Sequence, residues 1–154
     1  DNQREMSRNV KAAVPAWETV RKHTELNDMV LSNPEGGVSS AGIKWFGKYT
    51  TNIFFSFFAD RPTPIGDMIF SKCYSEFYPE EKLRNTFLHV KYIFNNAADL
   101  EDINYLADDL KVKAIVVTQW DKLWKYCNIL CDKYDMIEET DSYKVFIQKE
   151  NDEI

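Results

Sequence analysis

The sequence predicts an α/β domain with a mostly parallel sheet and an antiparallel edge, on three observations. Segments with helical spacing alternate with short β-branched or aromatic runs from Val10 to Gln148. "AIVVT" (Ala114–Thr118) is continuously apolar, as a strand covered on both faces would be. Near the end, Tyr143, Val145 and Ile147 alternate with Lys144, Phe146 and Gln148, which is the period of a half-exposed strand.

The elements follow in order. In "NVKAAVPAWETVRKH", Val10, Val14, Trp17 and Val20 form an apolar stripe, and Pro15 suits the first turn of a helix. "MVLSNP" (Met29–Pro34) reads as a buried strand that Pro34, Gly36 and Gly37 end in a loop. "EGGVSSAGIKWFGK" is irregular, and "TTNIFFSFFADRP" reads as a second strand closed by Asp60-Arg61-Pro62. "RPTPIGD" is a proline-stiffened turn, and the residues from Met68 to Phe77 read as helix. Pro79, Glu80 and Glu81 open a further helix, because acids suit its positive end. Within "TFLHVKYIF" the period changes: Phe87, His89, Lys91 and Ile93 alternate, so a strand is expected there. Asp99 caps a helix whose face is Leu100, Ile103, Leu106 and Leu110. After "AIVVT", a helix from Asp121 to Lys133 turns Leu123, Tyr126, Cys127, Leu130 and Tyr134 inward. "ETDS" then makes the turn of a hairpin running from Tyr134 to Gln148.

A length of 154 residues fits one domain spanning 1–154, with 150–154 as an acidic tail. The net charge of −6 opposes nucleic-acid binding, which needs a basic face to neutralise phosphates. The longest apolar run, Ile53–Ala59, is far below the roughly 20 residues of a membrane span. The first residue is Asp1 rather than methionine, so the expectation is a piece of a longer chain or a processed product.

Few side chains offer chemistry. Three cysteines make no disulfide framework; Cys127 and Cys131, four apart with no histidine near, are expected as buried thiols on one helix face. "DLEDINYLADD" lacks the glycine and spacing of a calcium loop and reads as a solvated helix face. His23 ends a helix, and His89, in an aromatic-rich stretch, reads as a structural histidine with a satisfied partner. "SNPEGGVSSAG" follows a strand but matches neither phosphate-loop fingerprint, so no cofactor is expected. The candidate ligand-binding residues are Asn33 in that loop, with Arg61 and Asp67 in "ADRPTPIGD". Both segments leave the carboxyl end of an expected strand, where ligands sit in open α/β sheets. Arg61 pairing with Asp60 or Asp67 to fix the turn is the structural alternative.

One resemblance joins these pieces. "AWETVRKHTELNDMVLSNP", "ADRP", "LADDLKVKAIVVT" and "YDMIEETDSYKVFIQK" are similar to the soluble C-terminal domains of polytopic membrane glycosyltransferases, which use lipid-linked sugar donors. Ala59-Asp60 stands where those domains have a glycine before Arg-Pro. The resemblance covers Trp17 to Lys149 and implies a Rossmann-like three-layer domain with an antiparallel C-terminal hairpin. It further implies an accessory, non-catalytic role on the extracytoplasmic side. The partners would be a transmembrane bundle of the same polypeptide and a glycan or protein acceptor. The alternatives are an independent small enzyme or binding protein for a nucleotide or nucleotide sugar, and a protein-binding module that exposes the aromatics around Trp45.

Overall fold

A computed structural model describes residues 14–34, 59–65 and 79–150 of the chain. Helix α1 covers residues 14–22, with Pro15 in its first turn and Ala16, Trp17 and Val20 buried. A tight turn follows, in which the Glu25 amide donates to the Asp28 carboxylate at 2.7 Å. Strand β1 (Met29–Leu31) is shorter than the expected run to Pro34. Beside it lies the segment 59–65, where the Val30 amide donates to the Pro62 carbonyl at 2.8 Å. The second expected strand, the helix from Met68 to Phe77 and Trp45 lie outside the described residues.

Helix α2 (Glu80–Asn95) corrects the strand expected within "TFLHVKYIF". The alternation of Phe87, His89, Lys91 and Ile93 competes with a longer period: Leu83, Phe87, Val90 and Phe94 all pack into the core, at spacings of four, three and four. A sixteen-residue helix with an acidic first turn prevails over four alternating positions.

Helix α3 (Leu100–Asn104) starts in a reciprocal cap: the Asp102 amide donates to Asp99, and the Asp99 amide donates to Asp102. It runs into a π-helical turn, Tyr105–Asp109. Ile103 and Leu106 are buried as expected, whereas Leu100 is 54% exposed at the N-terminal end. Lys111, at φ 55°, reverses the chain into β2 (Val112–Thr118).

The helix expected over Asp121–Lys133 is instead two 3₁₀ segments, Lys122–Lys125 and Cys127–Asp132. This changes which side chains share a face. At three residues per turn Cys127 and Leu130 are eclipsed and both buried, while Cys131 is turned away by about 120°. Cys131 is therefore an exposed free thiol, and Tyr126 is 52% exposed, both against expectation.

β3 (Tyr134–Glu139) and β4 (Tyr143–Gln148) form the expected hairpin. The sheet order is β1-β2-β4-β3: β1 and β2 are parallel, and β2–β4 and β4–β3 are antiparallel. Side chains of β2 alternate between two cores. Ala114 and Val116 meet Trp17 and Val20 of α1, while Ile115 and Val117 meet Val90, Phe94, Ile103, Leu106 and Leu130. The body thus has three layers: α1, the sheet, and α2 with α3 and the 3₁₀ turns.

Candidate functional site

The parallel pair directs two buried polar groups to one edge. β1 is followed by Ser32 and Asn33, and β2 ends at Thr118 with Asp121 just beyond. Asn33, Thr118 and Asp121 are all nearly inaccessible, at 3%, 1% and 3% exposure. Hydrogen bonds join the three. One Asp121 oxygen accepts from the Asn33 amide at 2.8 Å; the other accepts from the Thr118 amide at 2.8 Å and its hydroxyl at 3.1 Å. The Asn33 amide also reaches Asn95 at the end of α2, at 3.3 Å.

Burial pushes the Asp121 carboxyl up to about 6 from its ordinary 3.8. The Thr118 amide, the Asn33 amide and the Thr118 hydroxyl pull it back without offsetting that cost. The cluster therefore ties the carboxyl ends of β1 and β2 to α2, around a carboxyl group that gains a proton readily near neutrality. Asn33 was singled out by its place after a strand. Asp121 and Thr118 were not, although a polar pair ending a five-residue apolar run was the visible signal.

Arg61 serves another part of the molecule. Its guanidinium donates to the Thr24 hydroxyl at 3.1 Å and to the carbonyls of Thr24, Arg21 and Asp60 at 3.0, 3.2 and 2.8 Å. Three of these bonds close the end of α1, where free carbonyls and the negative dipole end favour a cation. Among the described residues the partners of Arg61 are carbonyls and a hydroxyl, not the Asp60 carboxylate. Pro62, beside Val30, is three residues back along the strand from Asn33, about 10 Å at 3.3 Å per residue. Arg61 and Asn33 thus serve separate places. Asp67 lies outside the described residues.

His89 has the partner expected of a structural histidine. Its Nε2 is 2.7 Å from an Asp102 oxygen, and its ring stacks on Tyr105 with centroids 4.2 Å apart. Asp102, which sequence reasoning placed on a solvated face, is thereby buried between α2 and α3. Cys127 lies 3.4 Å from the Lys144 ammonium, which also sits over the Trp124 ring. Among the described residues no group of three or more His, Cys, Asp or Glu could hold a metal.

A search of curated proteins and a search of solved structures each returned no match. A family model does match: the Y4nK C-terminal Rossmann-like domain, over residues 6–147, and the chain belongs to that family.

Proposed function

We propose that the chain is an accessory C-terminal domain of an integral membrane protein of the glycosyltransferase type. It would lie on the extracytoplasmic side, next to a transmembrane bundle of the same polypeptide. There it holds an acceptor, a glycan or a protein, while the reaction with a lipid-linked sugar takes place in the membrane part. The observation that carries this reading is the family itself, described as a C-terminal Rossmann-like domain. The carboxyl edge supports it. Where a small-molecule enzyme of this fold would present polar groups to a ligand, Asn33, Thr118 and Asp121 bond to one another, and Asn33 also to Asn95.

The test is made on the parent polypeptide. Segments of about 20 apolar residues should precede this domain. Its deletion should leave the protein in the membrane while abolishing transfer from a lipid-linked donor to the acceptor. A parent without such segments, or one with unchanged transfer after deletion, would end the proposal.

A second reading keeps a specific observation: both parallel strands end in buried polar residues at the edge where nucleotides bind in related architectures. An independent nucleotide or nucleotide-sugar binder would be stabilised by about 2.7 kcal/mol at 100 times its Kd. Thermal unfolding with nucleotides and nucleotide sugars that shows no shift would remove that reading.

A further inference from the structure

We propose that an open groove of about 600 Å³ between α2 and the turn after α3, lined by Pro79, Glu81, Lys82, Asn85, Thr86, His89 and Tyr105, binds a neutral hydroxyl-rich ligand, a glycosyl unit. The inference rests on the acceptor-binding role proposed above and gives that role a place and a chemistry.

The His89–Asp102 pair sets the polarity of the groove. An Asp102 carboxylate can only accept, so His89 carries a hydrogen on Nε2, where the two meet. In the neutral ring Nδ1 is then an acceptor, and it makes no hydrogen bond among the described residues. The other Asp102 oxygen is fixed by the Asp99 amide at 3.0 Å, and Tyr105 backs the imidazole. The ring is thus held at two points while its side chain stays 38% exposed.

Asn85 and Thr86, one turn earlier on the same helix, make no side-chain hydrogen bond among the described residues. Together these three residues offer an acceptor, an amide with both functions and a hydroxyl, the set that adjacent sugar hydroxyls require. Pro79 and Tyr105 add ring surface for the C–H face of a pyranose. Glu81 and Lys82 line the same rim with opposite charges, so the lining favours neither an anion nor a cation over a neutral ligand. The shallow, open shape suits one or two sugar units at the end of a larger acceptor rather than an enclosed cofactor.

The test is a titration of the 154-residue chain followed by ¹⁵N–¹H NMR. The probes are methyl β-D-glucopyranoside, methyl α-D-mannopyranoside and N-acetylglucosamine, with inorganic phosphate as the anionic arm. At least one sugar should give saturable millimolar shifts confined to Asn85, Thr86, His89 and Tyr105, including the His89 Nδ1 resonance. Asn85→Ala, on the exposed side of α2, should weaken that binding about tenfold. Met136→Ser, on the distant β3 strand, should leave it unchanged. The proposal is overturned by silence from every sugar, by shifts with phosphate alone, or by equal affinity in the Asn85→Ala chain. A parent lacking apolar spans would remove the membrane reading without touching these shifts, so the two failures are distinguishable.

Discussion

Asp121 and Asp102 are both buried carboxylates that anchor the stretch of chain beside them, and their surroundings differ in one respect. Asp121 is enclosed by neutral donors of its own chain, from Thr118 and Asn33. Asp102 accepts one backbone amide and faces an imidazole that opens on solvent. Enclosure engages both oxygens of the first carboxylate and makes its charge costly. At the second, part of the capacity passes through His89 to the surface. The residue type does not decide which aspartate is available to a ligand; the partner does.

The largest expected effect tests enclosure. The folded-state pKa of Asp121 is raised, from 3.8 to about 6, so the folded protein binds this proton more tightly than the unfolded chain. The stability from this group is fully present below pH 3.8 and is lost as the pH rises through about 6. The loss is about 3 kcal/mol at 1.36 kcal/mol per pKa unit. Asp121→Asn cannot titrate. Urea unfolding from acid to neutral pH should therefore show the variant gaining about 3 kcal/mol relative to the parent chain. A constant difference across that range would mean that the carboxylate is hydrated and the enclosure is not real.

Next in size is the open carboxylate. Asp102→Ala removes the return bond of the helix cap and the partner of His89, and should cost about 2 kcal/mol. Urea unfolding at neutral pH reads that loss, and an unchanged midpoint would mean that Asp102 anchors neither the cap nor His89.

These two aspartates also show where the sequence was legible. Asp102 lies in a segment whose cap, Asp99, was read from the capping pattern, and the α/β class followed from "AIVVT" and the alternation at Tyr143–Gln148. Errors arose where two periods coexist. Phe87–Ile93 alternates locally within a helix whose core contacts repeat over a longer span. Cys127–Asp132 has residues that suit an α-helix but winds at three per turn, which separates Cys127 from Cys131. The pairs Asn33–Asp121 and His89–Asp102 were illegible for a different reason. The first joins residues 88 apart, and the second crosses from one helix to another, so no local spacing announces them. Arg61 was legible as a residue with work to do, but the end of α1 as its partner was not.

The connection between the two regions offers a smaller effect of opposite sign. Lys111 joins the turn after α3 to β2, the strand that leads to Asp121, and it holds φ 55° with its side chain exposed. Left-handed backbone costs a non-glycine residue about 1–2 kcal/mol, part of which glycine returns through its freer unfolded state. Lys111→Gly should therefore stabilise the chain by about 1 kcal/mol, read as a higher urea midpoint with an unchanged slope. A loss of stability would show that the lysine side chain holds this junction by a contact worth more than the strain.

The smallest effect separates the groove from the framework. The His89 and Asp102 side chains are 38% and 12% exposed, so water competes for their bond and its worth is near that of a surface pair, about 0.5–1 kcal/mol. His89→Gln should lose no more than this. In a double-mutant cycle with Asp102→Ala the coupling should be of the same size, because deleting either partner already removes the bond. A coupling of several kcal/mol would place His89 among the structural residues, as enclosed in effect as Asn33 is beside Asp121. A coupling near zero would mean that the imidazole is not held by Asp102 at all, and its Nδ1 would then have no fixed direction into the groove. Only the intermediate value describes a ring oriented by its neighbour yet still available to a ligand.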